Sequence, residues 1–348
     1  MWSVAACAFA CALGCQTKKA EPAEAAASAN ATASAGLGSA PGSASVSLTP
    51  LEPGPVPAAE LAKLYLACFE ALNRGDFKQL GACYADDAVG RRFQGQLLES
   101  QGRDAVLAAG PKGFRDSFSD GKVVPQVVLV RGADVAMWAV QSGTQSGALP
   151  APAGKIEATG GATGQLVLHS AHFGKDKLIH EDWLAQDLGT TLFQLGKGVG
   201  KARPRNVQGL VNAPIVVVAS PDDAEKPGAE LVKKWLVALA RKDFATGTAL
   251  LADSVVESDQ AAPEDVSGKA AVAASSEAFW RPLASPRLAC PVLWGAAQYV
   301  LARCTLSADR AAGAGGPLAR TLLELYELSG NSIQRITRFS TDGPPAPK

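Results

Sequence analysis

An internal repeat constrains the fold of this chain more than any other feature. Residues 71–77 (ALNRGDF) match residues 238–244 (ALARKDF) at five of seven positions. Each copy follows a stretch with helical hydrophobic spacing and precedes a series of strand-forming segments. Helices followed by an antiparallel series of strands are typical of an α+β fold. Because the order recurs, the 348 residues are predicted to form two tandem domains.

The hydrophobic pattern also predicts the elements of each domain. A helix is expected over residues 59–72, Asp76 is expected to cap a short second helix ending near Cys83, and residues 103–118 favour a third helix interrupted near Pro111. Strands are predicted at 123–131, 135–147, 165–173 and 178–185, and in the second domain at 287–294, 298–307, 319–328 and 332–340.

Composition excludes one class of partner. The chain carries 33 basic and 33 acidic residues, and no stripe of arginine and aromatic side chains marks one of its elements. Nucleic acid is therefore not expected as a partner. A hydrophobic content of 47% suits a folded globular protein.

The first 15 residues are typical of an export signal. Residues 2–14 form an apolar run that is shorter than the ~20 residues needed to span a bilayer and matches the core of a secretory signal. Residues 12–15 (ALGC) resemble a bacterial lipobox, although no basic residue precedes the run and Ala12 replaces the usual leucine. The resemblance implies lipidation at Cys15 and, since Gln16 follows, anchoring in the outer membrane.

The domain boundaries follow from these patterns. Residues 16–57 are dominated by Ala, Ser, Gly and Pro, whose side chains cannot offset the entropy lost when a backbone is ordered, so a disordered tether is predicted. The expected division is a signal segment with lipobox at 1–15, the tether at 16–57, a first domain at 58–197, a linker at 198–227, a second domain at 228–342 and a tail at 343–348.

Of the seven cysteines, four remain once Cys7, Cys11 and Cys15 are assigned to the signal and its lipid. Two fall in each half, at Cys68 and Cys83 and at Cys290 and Cys304. An even number split in this way favours disulfides formed in an oxidising compartment. The alternative is four buried thiols that act as small hydrophobic side chains. The sequence leaves both alternatives open.

All three histidines, His169, His172 and His180, lie within twelve positions around a predicted hairpin turn at residues 174–177. Strand alternation places His169 and His172 on opposite faces, so at most one of them can face a pocket. This parity and the absence of an accompanying cysteine disfavour a zinc site, and no metal is predicted. The alternative for each histidine is an exposed position on a strand, with no role in a pocket.

The first domain resembles the SnoaL-like polyketide cyclase family of the nuclear transport factor 2-like superfamily, over about residues 60–196. Short segments in a fixed order carry the resemblance: 73–77 (NRGDF), 84–89 (YADDAV), 102–105 (GRDA), Phe114 with 117–120 (SFSD), 143–147 (GTQSG), 179–183 (IHEDW) with Asp187, and 194–196 (QLG). The resemblance implies a cone, in which a bent antiparallel sheet wraps three helices around an apolar pocket. The second domain shares only the outline of the superfamily, so the predicted fold is two tandem cones.

The resemblance also implies a chemistry. Cyclases of this family close a ring by an intramolecular aldol reaction, in which a carboxylate takes a proton from a carbon flanked by carbonyls, without metal or organic cofactor. By position, Asp187 is the implied acid/base residue, His172 the nearest imidazole and His169 its alternative. Asp187 could instead be a turn or helix-cap carboxylate. The implied pocket positions are Tyr65, Trp138, Gln145 and Trp183.

Gln145 departs from the family pattern, in which histidine is common at this position. Glutamine can hold a carbonyl by hydrogen bonds but cannot exchange a proton, which favours binding over catalysis. Three hypotheses therefore remain: an enzyme acting on a small apolar carbonyl compound, a lipoprotein that binds a hydrophobic small molecule, and an interaction protein whose cones pair within the chain or in a homodimer. In the second domain, Glu324, Glu327, Arg335 and Arg338 are predicted to form a solvated face, and Trp235, Trp280 and Trp294 to lie in the core.

Overall fold

The computed structural model describes residues 42–93, 96–151, 154–198, 203–206, 213–220, 222, 224–310 and 317–342, which all belong to one structural unit. The predicted signal segment with Cys15, most of the predicted tether and the tail lie outside these residues. Within the part of the chain that the structure describes, no helix is long and apolar enough to cross a membrane.

Short helices and long strands alternate along the chain. The helices are α1 (Ala58–Arg74), α2 (Phe77–Gly81), α3 (Arg103–Leu107), α4 (Gly113–Ser117), α5 (Leu188–Gln194), α6 (Lys226–Ala240), α7 (Phe244–Ala249) and α8 (Lys269–Trp280), and a π-helical turn (Ala108–Lys112) joins α3 to α4. The strands are β1 (Ser43–Val46), β2 (Tyr84–Phe93), β3 (Leu97–Gln101), β4 (Lys122–Arg131), β5 (Asp134–Thr144), β6 (Leu149–Ala151), β7 (Gly154–Ile156), β8 (Ala162–Phe173), β9 (Ile179–Ala185), β10 (Ile215–Val218), β11 (Leu251–Asp259), β12 (Val266–Ser267), β13 (Leu283–Ala296), β14 (Tyr299–Arg310), β15 (Leu318–Ser329) and β16 (Ser332–Asp342).

The repeated sequence motif builds the same helix junction twice. After α1, Gly75 takes a left-handed conformation (φ 75°), and Asp76 caps α2 by accepting a hydrogen bond from the backbone N–H of Gln79. In the second copy, Lys242 has φ 59° and Asp243 caps α7 through the N–H of Thr246. At each junction, the residue with positive φ turns the chain sharply. The aspartate that follows then accepts a hydrogen bond from a backbone amide that would otherwise lack an acceptor at the start of the next helix.

Two seven-stranded sheets have the same strand order. The first runs β10-β4-β5-β8-β9-β2-β3 and the second β1-β13-β14-β15-β16-β11-β12, while β6 and β7 form a separate pair. In each large sheet a four-strand antiparallel meander is followed by a parallel pairing, β9 with β2 and β16 with β11. The predicted meander strands are confirmed in both halves, whereas residues 84–93, for which no strand was predicted, form β2.

The edge strands are exchanged between the halves. Strand β1 precedes α1 but pairs in parallel with β13 of the second sheet, and β10 precedes α6 but pairs in parallel with β4 of the first sheet. Val46 is buried in the core of the second half, and Thr49 exchanges hydrogen bonds with Leu293. The predicted tether is therefore wrong from Gly42 on, because tertiary pairing orders a segment whose composition alone would not.

Three hydrophobic cores hold the unit together. One lies between α1 and the first sheet, one between α6, α8 and the second sheet, and the third between the two sheets. In the third core, Trp183 of the first sheet is close to the Arg303 guanidinium of the second, 4.2 Å from its ring centroid. Arg303 also donates to Glu181 at 3.4 Å. The sheets thus bury their outer faces against each other within one chain.

The last strand pair of the second half is not a solvated face. Glu324 is 1% exposed and lies opposite Arg338, whose side chain is 13% exposed, whereas Glu327 and Arg335, on the other side of the same pair, are more exposed. The prediction is wrong for Glu324 and Arg338 because their face of the sheet points towards α6 and α8.

Disulfides join the predicted cysteine pairs. Cys68 of α1 is bonded to Cys83 after α2, and Cys290 of β13 is bonded to Cys304 of β14. The first bond fixes the two helices of the repeated junction, and the second closes a hairpin that already has its backbone ladder.

The double variant Cys68→Ala/Cys83→Ala is expected to lose about 2–4 kcal/mol of unfolding free energy. The disulfide closes a 15-residue separation and so restricts the unfolded chain. Urea unfolding of wild type and variant, each with and without reductant, measures the loss. Reductant should lower the midpoint of the wild type more than that of the variant, in which only the Cys290–Cys304 bond remains. Equal midpoints for wild type and variant without reductant would contradict the role of this disulfide.

Candidate functional site

Strand alternation divides the side chains of the first sheet into two layers. On β9, Asp182 and Leu184 line a cavity beneath the helices, whereas Trp183 lies in the core between the sheets. On β8, His169 lines the same cavity, whereas His172 is on the opposite face and partly exposed. The predicted parity of the two histidines is therefore observed, with His169 on the inside.

The cavity lies between α1, the α3–α4 segment and the inner face of the first sheet. Its narrow inner part has a volume of about 40 Å³ and mostly apolar walls. An outer part of about 290 Å³ adjoins it, since both parts are lined by Arg92, Gly110, Phe114, Gln141 and Leu184. The four titratable side chains at the inner part are Tyr84, Arg92, His169 and Asp182.

Asp182 is the carboxyl group at the centre of this set. It is 3% exposed, and its Oδ2 lies 3.4 Å from the Tyr84 hydroxyl and 3.5 Å from both terminal nitrogens of Arg92. Burial raises the pKa of Asp182 above its ordinary value, although the Arg92 charge and the hydrogen bonds from Tyr84 and Arg92 oppose that rise. A carboxyl group in this state gains and loses a proton nearer to neutral pH than an exposed aspartate.

The π-helical turn leaves space for the Arg92 side chain. The side chain is buried, and its Nη2 donates to the carbonyl oxygen of Val106 at 3.2 Å. A Cβ at position 110 would clash with the guanidinium group, so Gly110 provides the space that Arg92 occupies. Pro111 lies inside the same turn, which explains why the predicted third helix is interrupted there without ending.

His169 is buried, and neither of its ring nitrogens has a hydrogen-bond partner among the residues that the structure describes. Its ring packs edge to face against the Phe69 ring, with 4.9 Å between the two ring centroids. Burial, helped by the positive charge of Arg92, lowers the pKa of His169 to about 3. At neutral pH the imidazole is therefore neutral and can donate one hydrogen bond and accept another.

Tyr84 stays protonated, and its hydroxyl donates a hydrogen bond to Asp182. Burial, followed by the negative charge of Asp182, raises the Tyr84 pKa well above its ordinary value. Tyr65, predicted to line the pocket, instead packs edge to face against Phe69 and Phe173 in the helix–sheet core. It is not among the lining residues of either part of the cavity, so its prediction as a pocket residue is wrong.

Asp187 and His172, the acid/base residue and the imidazole predicted from the sequence, do not line this cavity. Asp187 is half-buried and caps α5 by accepting a hydrogen bond from the N–H of Thr190, which is the alternative role that the sequence left open. His172 lies 2.9 Å from Asp134 on the opposite face of the sheet, and that hydrogen bond raises its pKa.

The remaining predicted pocket residues also have structural roles. Trp138 and Trp183 belong to the core between the sheets, where alternation places them away from the cavity. Gln145 is fully buried, donates to the carbonyls of Gly147, Ile156 and Glu157, and accepts from Thr159. It therefore fixes the loop between β5 and β8 and does not face the cavity.

Sequence reasoning missed Tyr84, Arg92 and Asp182 as site residues. Tyr84 and Arg92 lie on β2, which was not predicted as a strand, and Asp182 was quoted only as part of a motif. The usable signal was alternation along β9, since Asp182 and Leu184 share a face that Trp183 does not. Within the described residues, no group of three or more His, Cys, Asp or Glu side chains could hold a metal ion.

Comparisons with known proteins agree with the first half of the fold. Residues 65–181 match the family described as a SnoaL-like domain, so the resemblance predicted for this region is confirmed there. The matched region runs from α1 into β9 and contains Tyr84, Arg92 and His169. No curated protein matches the chain.

Solved structures similar to part of the chain come from several bacteria. IdmH of Streptomyces antibioticus, described as a candidate polyketide cyclase, is 24% identical, with a TM-score of 0.33 over 39% of this chain and 99% of its own. TsrD of Streptomyces laurentii is 21% identical, with a TM-score of 0.34 over 41% and 98%. A candidate SnoaL-like polyketide cyclase of Jannaschia sp. CCS1 is 15% identical, with a TM-score of 0.36 over 44% and 99%.

The His169→Leu variant is expected to reduce the acid sensitivity of folding. In the folded protein the pKa of His169 is about 3, below its ordinary value of 6.5, so below pH 6.5 protons bind this residue preferentially in the unfolded chain. Its contribution to stability therefore falls by about 1.4 kcal/mol per pH unit as the pH drops from 6.5 towards 3.

Urea unfolding at pH 7 and pH 5 tests this prediction. The loss of unfolding free energy between these values should be about 2 kcal/mol smaller in His169→Leu than in wild type. His180→Leu, which replaces a partly exposed histidine of the same hairpin, is the comparison variant for the effect of a histidine-to-leucine change itself. An equal loss in His169→Leu would show that the buried imidazole does not resist protonation.

Proposed function

We propose that the cavity in the first half transfers protons on a small apolar carbonyl compound, with Asp182 as the acid/base residue. The observation that carries this proposal is a buried carboxyl group with a raised pKa on the wall of an apolar cavity. Burial disfavours the charged form of a carboxyl group, and the pKa of Asp182 stays raised although Tyr84 and Arg92 donate hydrogen bonds to it.

The neighbouring side chains have distinct roles in this proposal. The Asp182 carboxylate accepts a proton from a carbon next to the substrate carbonyl, and the electron pair of the broken C–H bond moves into an enolate. Neutral His169 donates a hydrogen bond to the enolate oxygen, while the nearby Arg92 charge stabilises it. Asp182 then returns the proton to carbon or to the oxygen that is being attacked. The substrate delocalises its own negative charge, so the proposal requires no cofactor.

The dimensions of the cavity set the size of the substrate. The inner part, at about 40 Å³, accommodates only the reacting carbon and its carbonyl group, and the outer part, at about 290 Å³, the remainder of the molecule. Both are small for ligand pockets, which commonly reach ~300–1,000 Å³. Gln145 does not limit this chemistry, because its side chain is engaged in the loop.

One observation favours the alternative of binding without turnover. The Arg92 guanidinium lies 3.5 Å from Asp182 and favours the charged carboxylate, which weakens it as a base. In that case the cavity holds a hydrophobic small molecule and His169 bonds to its carbonyl oxygen. Measurement of proton exchange separates the two functions.

The Asp182→Asn variant is expected to lose proton transfer by roughly a hundred- to ten-thousandfold. The assay uses 2-indanone in deuterated buffer and follows exchange of the protons next to its carbonyl by nuclear magnetic resonance. Asp187→Asn is the matched control, because asparagine can still cap α5, and it should exchange at the wild-type rate. If the wild-type protein exchanges these protons no faster than buffer does, while line broadening shows that 2-indanone binds, the result would contradict catalysis and support binding without turnover.

The second half is proposed to be a cone of the same superfamily that pairs with the first as an intramolecular pseudo-dimer. Support comes from the shared strand order, the repeated helix junction and the core between the sheets. In this arrangement the second cone covers the outer face of the first sheet, and the two cavities open on opposite sides of the paired sheets.

The chain is further proposed to be an exported lipoprotein of the cell envelope. Residues 12–15 (ALGC) support lipidation at Cys15, and the two disulfides suit an oxidising compartment. The membrane contact would then be the lipid anchor.

Cys15→Ser is expected to move the protein from the membrane fraction to the soluble fraction, because the lipidated thiol is removed. Immunoblots of fractionated cells that express the full chain measure the distribution. Cys11→Ser, a cysteine-to-serine change within the apolar run, is the control and should leave the protein in the membrane fraction. Membrane association of Cys15→Ser would contradict the anchor.

A further inference from the structure

The second half contains a cavity of its own. It has a volume of about 240 Å³ and lies between α6, α8 and the inner face of the second sheet. Leu236, Leu239 and Leu322 form apolar walls, and Trp280 adds an aromatic one. Nothing in the first cavity contributes to it, so it can be argued independently of the proposed proton transfer.

A network of two carboxylates around one guanidinium group lies in the wall of this cavity. Arg338 bonds to two carboxylates, with its Nη1 at 2.5 Å from Glu257 and its Nε at 2.5 Å from Glu324. The Tyr326 hydroxyl donates to the other oxygen of Glu324 at 2.6 Å. Burial lowers the pKa of Arg338, but the charges of Glu324 and Glu257 outweigh that effect and raise it well above its ordinary value. The guanidinium therefore stays charged.

One carboxylate oxygen of this network lacks a partner. Glu257 is 3% exposed, and within the described part of the chain its Oε2 has no hydrogen bond, although its Oε1 is bonded to Arg338. A buried charged oxygen without a donor is unfavourable, so the position favours a molecule that brings one. Glu257 lines the cavity, so a molecule bound there lies beside its carboxylate.

The remaining charges of the wall also favour a cation. Four carboxylates line the cavity, those of Glu257, Asp259, Glu264 and Glu324, against the two guanidinium groups of Arg320 and Arg338. The excess of negative charge raises the local concentration of cations. The apolar walls require that the cation carry a hydrophobic body, which a metal ion or free ammonium lacks.

We propose that this cavity binds a small primary amine in its ammonium form, with the ammonium group donating to Glu257 Oε2 and the hydrocarbon body against Leu236, Leu239 and Trp280. The aromatic ring adds attraction for the cation where the two approach. The volume of about 240 Å³ restricts the ligand to a small molecule such as an arylalkylamine.

Isothermal titration calorimetry of the full chain with phenethylammonium chloride tests the proposal, and 2-phenylethanol is the neutral probe of nearly the same shape. The ammonium compound should bind at least about tenfold more tightly, because a charge-assisted hydrogen bond to Glu257 replaces a neutral one. Equal affinities, or no binding of the ammonium compound at millimolar concentration, would overturn the proposal without reference to any variant.

Glu257→Gln should weaken binding of the ammonium compound by roughly tenfold or more and leave that of 2-phenylethanol nearly unchanged. Glu230→Gln, on α6 and partly exposed beside Lys233, is the matched control and should bind as wild type. Unchanged affinity in a folded Glu257→Gln protein would overturn the assignment of this oxygen. If that variant does not fold, Glu264→Gln on the exposed rim should still weaken the ammonium compound selectively, and an equal effect on both probes would count against the proposal.

Discussion

The packing of one sheet face on the other determines what every other part of this chain can do. A sheet that is covered on both sides has one layer of side chains for the partner sheet and one for the helices. In the first sheet, Trp183 and Leu168 belong to the layer between the sheets, while Asp182 and His169 belong to the layer beneath the helices. The buried titratable groups of the first cavity therefore lie on the helix side of the sheet, and Trp183 lies on the other side.

The pattern of the sequence was sufficient for the helix junctions and meanders. Gly75 with Asp76, and Lys242 with Asp243, are local signals whose meaning depends only on neighbouring residues. Strands β1 and β10 are different, because four-residue segments become strands only when a distant edge is available for pairing. Local reasoning could not supply that edge, and it described residues 42–57 as a tether.

The candidate site shows the same limit at the level of single residues. Strand parity separated His169 from His172 correctly, since it depends only on alternation. It could not choose between Asp182 and Asp187, because the choice depends on where β9 ends and α5 begins. Gln145 is a different case. Because it departs from the family motif, it was predicted to affect the chemistry of the pocket, but its side-chain amide instead bonds to the surrounding loop. The tertiary contacts of a polar side chain decide its role, and the sequence does not record them.

The exchanged edge strands have a consequence for how the chain is made. During synthesis, the first sheet lacks its β10 edge until residue 218 has left the ribosome, and β1 has no partner until β13 follows it. Neither half can therefore complete its sheet when its own residues have emerged. The edge of β4 stays unpaired while the residues between β4 and β10 are synthesised, a stretch longer than half of the first domain. Each sheet thus depends on a strand that is synthesised with the other half. A gene encoding either half alone would therefore specify a sheet that lacks one edge strand.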